Sequence, residues 1–175
     1  MSLAALSDLI PDFAKDIRLN LSSVMTPEGA PDLKQNQIYL IALASAHATQ
    51  NKSVSDAIEK AAEGLLSQEE LTAAKAAASI MAMNNVYYRF LHLVGDEEFK
   101  KMPARLRMNV IGSPGVPKVD FELCCMAVSA INGCGLCMEA HAKELEKAGV
   151  LKQSIQSSVR IASVIAAVTQ TLSMA

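Results

Sequence analysis

Ser67-Gln-Glu-Glu-Leu-Thr-Ala-Ala-Lys-Ala-Ala-Ala-Ser-Ile-Met-Ala-Met-Asn-Asn85 begins as a helix must begin and then offers nothing that would stop one. The Ser67 hydroxyl can accept from the amide of Glu70, and the Glu70 carboxylate can reach back to the amide of Ser67. Ala, Leu, Met and Lys all favour the helical state. The stretch predicts one long helix running to about Leu93 and closed by Gly95.

Outward from this helix the same signals recur. Pro11 suits the first turn of a helix through Leu21, and Thr26 to Leu33, with Pro27, Gly29 and Pro31, reads as a loop. A helix is expected from Lys34 to Thr49. Ser53-x-x-Asp56 is read as opening another, and Gly64 as ending it. Asp96 to Pro103 is a charged connection with helical tendency, and Ala104 to Ile111 is expected to form a short helix. Gly112-Ser-Pro-Gly-Val-Pro117 is the strongest break in the chain. Pro117 then starts a helix through Ile131, Asn132-Gly133 interrupts it, Cys134 opens the next, Gly149 ends that one, and a last helix spans Leu151 to about Ser173. Period-2 alternation bounded by turns is missing, so the reading is all-α: a single-domain helical bundle over residues 1–175.

Composition agrees. Apolar residues make up 51% and aromatics 4%, with no Trp, so the core must be built from Ala, Leu, Ile, Val and nine Met. Such small side chains let helices approach closely and favour helix-on-helix layers. Residues 38–85 and 121–170 also resemble each other: helix, short helix, glycine, long Ala-rich helix. Ser45-Ala46 matches Ser129-Ala130 at a spacing of 84, and Gly64 matches Gly149 and Ile80 matches Ile165 at a spacing of 85. This is the pattern of an internal duplication, although shared Ala-rich composition would also produce likeness.

The charge balance of 16 basic and 18 acidic residues gives -2, with no basic stripe for nucleic acid. The first residues have no basic start, with Asp8 and Asp12 among the apolar ones. Ser163, Thr169 and Gln170 make the apolar run around Ile161 a buried helix rather than a membrane span. The expected location is cytoplasmic. There, four Cys are more easily read as catalytic, redox or metal-binding than as a disulfide framework.

The chemistry concentrates in Gly133-Cys-Gly-Leu-Cys-Met-Glu-Ala-His141. Positions i, i+3 and i+7 share a helix face, so two thiols and an imidazole occupy one small volume. Cys134 falls at a helix N-terminus, where free amides and the macrodipole favour an anion. An ordinary thiol is only about 3% thiolate at pH 7, and the dipole lowers its pKa by roughly one unit, so a base or positive partner is still required. His141, one turn beyond Cys137, can take the proton or steady the thiolate. A pair at this spacing can also close a disulfide.

Other uses of these residues compete. Zinc is the serious rival, because Cys134, Cys137 and His141 are three ligands at suitable spacing, but a structural site needs a fourth. Met138 in place of His removes the c-type haem motif, and a thioredoxin-type domain needs strands that are missing. Cys124 and Cys125 lie in an apolar helical stretch and read as buried, inert thiols. His47 and His92 read as packed or surface residues, and the scattered Met as filler. Glu139, which can pair with Lys143, and Glu144 read as solvated charges. By position alone, Glu122 is an acid favoured by the start of its helix.

Ala130-Ile-Asn-Gly-Cys-Gly-Leu-Cys-Met-Glu-Ala-His141, preceded by Gly115-Val-Pro-Lys-Val-Asp-Phe-Glu-Leu123, closely resembles the alkyl hydroperoxidase D family of the carboxymuconolactone decarboxylase-like superfamily. Residues Asp12 to Ser23, Met81 to Arg89 and Leu106 to Ile111 carry the likeness over nearly the whole chain. The resemblance implies an all-helical duplicated fold, usually a homotrimer. It implies a peroxidase that reduces organic hydroperoxides with lipoyl dithiol (dihydrolipoamide) as external reductant and with no bound cofactor. Its implied partners are the peroxiredoxin alkyl hydroperoxide reductase C, which it regenerates, and a lipoylated dehydrogenase-complex subunit. Carried over by motif position, Cys137 attacks the peroxide, Cys134 donates a proton and resolves, His141 belongs to the proton relay and Glu122 is its carboxylate base. Glu122 is expected across the helix junction from Cys134. Leu136 departs from family members that carry a second His between the thiols. Two alternatives remain at this point: a carboxymuconolactone decarboxylase-like enzyme, and a non-enzymatic zinc or redox-sensing helical module.

Overall fold

The computed structural model describes residues 2–175, and among them there are helices and connections but no strand. In chain order these are α1 (Leu3–Asp8), a 3-10 turn (Asp12–Ala14), α2 (Lys15–Val24), α3 (Gln35–Ala48), α4 (Lys52–Ala61) and α5 (Gln68–Leu93). They continue with α6 (Glu97–Lys101), α7 (Asn109–Gly112), α8 (Lys118–Ile131), α9 (Gly135–Lys147) and α10 (Lys152–Leu172). No helix among the described residues is long and apolar enough to cross a membrane.

The capping box at Ser67 forms as its sequence requires. Glu70 N donates to Ser67 Oγ at 3.2 Å, and Ser67 N donates to Glu70 Oε2 at 2.8 Å. The other oxygen of Glu70 accepts from Asn36 Nδ2 at 3.0 Å, which pins the start of α3 to the start of α5. Gln37 Nε2 likewise donates to Asp120 Oδ1 at 2.6 Å, pinning α3 to α8.

The core is laid around α3 and α8. Leu40 to Ala46 of α3 and Asp120 to Ser129 of α8 are buried without a break, as expected of helices with neighbours on all sides. Onto this pair pack Ala73, Ala74, Ala77 and Met81 of α5 and Ile161, Ala162, Ile165 and Val168 of α10. The many Ala at these seams allow close approach of the helix axes. Phe121, fully buried, is the largest side chain in the centre.

The two stretches expected to be related have the same element order. Helix α3, short α4 and long α5 are followed later by α8, short α9 and long α10, with Gly64 (φ 78°) and Gly149 (φ 81°) after the short helices.

Three local expectations are corrected, and one helix is added. Helix α4 is capped by Asn51, whose Oδ1 accepts from Val54 N at 3.2 Å, and not by Ser53. Asn is as good a cap as Ser, and it comes first. Pro11 precedes a 3-10 turn, and the α-helix starts only at Lys15. The helix expected over 104–111 shrinks to Asn109–Gly112, because Arg105 takes a left-handed conformation (φ 52°) that a helix cannot contain. Helix α1, capped by Ser2 Oγ, went unanticipated.

Candidate active site

The site is made where α8 turns into α9. The turn needs a left-handed residue, and Gly133 (φ 67°) supplies it without a Cβ penalty. Gly133 N and Cys134 N then donate back to Ala130 O (3.2 Å) and Ser129 O (3.1 Å), closing the end of α8. Two further bonds hold the turn against α5: Arg89 Nη1 donates to Asn132 O at 2.6 Å, and Asn132 Nδ2 to Asn85 Oδ1 at 2.9 Å.

Cys134 is the N-cap of α9, as expected, and its Sγ accepts from Cys137 N at 3.3 Å. The two cysteines are joined by a disulfide, with Cα atoms 5.3 Å apart. Both are buried, Cys134 completely and Cys137 with 6% of its surface exposed. The bridge therefore closes within the first turn of one helix, and its formation asks for no long-range rearrangement of the chain.

His141 follows one turn after Cys137 and is buried. Its Nδ1 lies 2.7 Å from Glu122 Oε2, and Glu122 is buried as well. Glu122 thus reaches the imidazole across the α8–α9 junction, and its contact is with His141 rather than with the thiols directly. A carboxylate on Nδ1 holds the hydrogen on that nitrogen and leaves Nε2 as the proton acceptor. Met81 Sδ of α5 stands 3.3 Å from Nε2. A thioether can only accept, so this contact steadies the ring once Nε2 is protonated.

Cys137 and His141 open onto a cleft of about 300 Å³, walled by Met81, Tyr88, Met108, Ile111 and Leu136. Leu136 makes one apolar wall. Asn84 of α5 also borders the cleft. Its neighbour Asn85 is fully engaged, with Nδ2 donating to Ser129 Oγ at 2.9 Å.

All four residues anticipated from the sequence, Cys134, Cys137, His141 and Glu122, therefore meet at one corner. The contribution of α5 was not anticipated. Its signal was Asn84-Asn85, two adjacent amides inside an Ala- and Met-rich helix, both buried. Buried amides need partners or a task.

The remaining candidates separate cleanly. Cys124 and Cys125 are free and buried; loss of solvent, with Asp120 near the first thiol and Cys124 and Glu122 near the second, pushes both well above an ordinary thiol. His92 is exposed and His47 half-buried. On α9 Glu144 pairs with Lys147 at 2.6 Å, which holds its carboxyl below the ordinary range, and Glu146 with Lys152 at 3.7 Å; Glu139 stays exposed. Such exposed pairs follow whichever rotamers meet and add little stability.

Comparison with known proteins agrees with the geometry. The profile of the carboxymuconolactone decarboxylase family matches residues 97–175. Proteins named alkyl hydroperoxide reductase AhpD match almost end to end. The one from Coxiella burnetii is 52% identical over 168 residues, 96% of this chain and 95% of its own length. Those from Rhodospirillum centenum and Hyphomonas neptunium are each 55% identical over 172 residues, 98% of this chain and 91% and 94% of theirs. Identity of this depth along the whole length means that the chain belongs to the AhpD family, within the carboxymuconolactone decarboxylase-like superfamily.

Proposed function

We propose that this chain is an antioxidant thiol peroxidase and disulfide reductase that cycles Cys134 and Cys137 between dithiol and disulfide. The observation that carries the reading is the Cys134–Cys137 bridge at the start of α9, beside a buried His141–Glu122 pair and facing an apolar cleft. The name of the relatives, alkyl hydroperoxide reductase, agrees with it.

In the reduced enzyme Glu122 fixes His141 so that Nε2 takes the proton released when Cys137 ionises, directly or through one water. The helix N-terminus favours the thiolate. The Cys137 thiolate attacks the terminal oxygen of an organic hydroperoxide. An S–O bond forms and the O–O bond breaks, leaving Cys137 as sulfenic acid and releasing an alkoxide, which takes a proton to become the alcohol. Cys134 then attacks the sulfenic sulfur, water leaves, and the disulfide closes. A lipoyl dithiol on a dehydrogenase-complex subunit attacks that disulfide, and two exchanges return both thiols with the lipoyl group oxidised. The reduced Cys134–Cys137 pair would likewise reduce the disulfide of the peroxiredoxin alkyl hydroperoxide reductase C by exchange, closing its own disulfide again. The working form is a cytoplasmic homotrimer with no bound cofactor.

The test is turnover of cumene hydroperoxide with dihydrolipoamide. Wild type should consume both in equal amounts, and Cys137→Ser should fall to background. Retained turnover in Cys137→Ser, or a wild-type disulfide that dihydrolipoamide does not open, overturns the reading.

A further inference from the structure

Asn84 is the polar group of the cleft that the cycle above leaves idle. It lies on α5, one turn from Met81, and only 4% of its surface is exposed. Its Oδ1 is buried and has no hydrogen-bond partner. The amide next to it makes the contrast plain, since Asn85 both donates to Ser129 Oγ and accepts from Asn132 Nδ2 at 2.9 Å. A buried amide left unpaired is a standing cost to the fold, and an apolar residue at the same place would avoid it. Around Asn84 the walls are apolar, and the Tyr88 hydroxyl is turned to Met108 Sδ at 3.8 Å. Asn84 shares the cleft with Cys137 and His141.

We propose that Asn84 is the hydroperoxide-binding residue, and that the carbon body of the substrate fills the apolar cleft beside Cys137. The inference rests on the peroxidase reading above. An amide can serve both ends of the reacting group. With Nδ2 toward the cleft the amide donates to the oxygen bonded to carbon, and a turn about χ2 brings the buried Oδ1 there instead, where it accepts the O–H of the incoming hydroperoxide. When the Cys137 thiolate gives its electron pair to the terminal oxygen and the O–O bond breaks, negative charge gathers on the carbon-bound oxygen. The Nδ2 hydrogen bond strengthens at that moment, which is what accelerates a step rather than merely binding its reactant. The alkoxide then takes a proton and leaves as the alcohol. A cleft of about 300 Å³ with these walls suits an aryl-alkyl or medium-chain hydroperoxide, and gives hydrogen peroxide no apolar contact to exploit.

The experiment separates the peroxide step from thiol exchange, using wild type and Asn84→Leu, which keeps volume and removes both hydrogen bonds. Oxidation of reduced Cys137 by cumene hydroperoxide should slow by about tenfold or more in the variant. Its alkylation by iodoacetamide and the opening of its disulfide by dihydrolipoamide should be unchanged. Wild type should prefer cumene hydroperoxide to hydrogen peroxide, and the variant should lose most of that preference. Asn84→Ala is read in the same way if Asn84→Leu does not fold. Equal oxidation of wild type and variant overturns the role of Asn84 alone. Parallel loss of alkylation and exchange makes the residue structural and also overturns it. A wild-type protein that cumene hydroperoxide does not oxidise removes the peroxidase reading with it.

Discussion

Helices α4 and α9 occupy the same station in two units of like order, and they use it oppositely. Each has a cap residue, Asn51 or Cys134, that accepts from the amide three residues on, at 3.2 and 3.3 Å. Each then presents one buried face. In α4 and its C-cap it is Val54, Ile58 and Ala62; in α9 it is Cys137, His141 and Leu145, at the same steps from the cap. The first face is hydrocarbon and only packs. The second holds a disulfide and an imidazole bonded to a buried carboxylate, and the polar pair costs more to bury and gives less cohesion than hydrocarbon. The difference between the two lies in the side chains of one helix face, on helices of like order and like capping.

The comparison can be broken most severely by making α9 resemble α4. Cys137→Val should abolish turnover altogether, while urea unfolding under reducing conditions changes little, since Val and Cys are both small apolar fillers. The reverse holds on the other face. Ile58→Ala should cost about 2–5 kcal/mol, as large-to-small core changes do, with no change in the rate at which dihydrolipoamide opens the disulfide. His141→Ile alone leaves Glu122 buried without its partner and should cost about 3 kcal/mol. Adding Glu122→Leu should restore most of that loss, and a double variant no more stable than the single one would show the pair to be unimportant to the fold.

Most of this plan was legible in the residues. The Ser67 capping box, the glycines after each short helix and the Cys134–Cys137–His141 spacing are local signals, and local signals survive folding. What escaped was set by tertiary contacts. No pattern around Glu122 says that it will meet His141, and only the family resemblance pointed to it, because the meeting depends on the α8–α9 corner that Gly133 sets. Met81 and Asn84 come from α5, far away in sequence, and their place in the site is fixed by packing alone. Asn51 lost to Ser53 in the reading of α4 because a motif of the right spacing lay two residues further on.

A finer comparison concerns the caps. Asn is a better cap than a neutral sulfur, so Cys134→Asn should stabilise the reduced protein by up to about 1 kcal/mol while ending the redox cycle. A loss of stability in urea would mean that Cys134 fits its place for reasons other than chemistry.

The smallest effect compares the two buried or half-buried imidazoles. Burial first, and then the nearby Lys75, hold His47 below an ordinary histidine. In the window below about pH 6.5 the unfolded chain therefore binds a proton that the folded chain resists. Stability rises with pH across that window and is lost as pH falls. His47→Gln should flatten the difference between urea midpoints at pH 5 and pH 7, and an unchanged difference would assign the acid sensitivity to other groups.

The bond from the Cys137 amide to the Cys134 sulfur gives the protein a built-in gauge of its own electron count. The Cys134 sulfur accepts feebly in the disulfide and strongly when, freed, it sheds its proton to resolve the sulfenic acid. Each turn of the cycle must therefore tighten and loosen this amide in the first turn of α9. The nitrogen resonance of Cys137 in an NMR titration should track the redox state, with the frame supplied by α5 and α8 standing still.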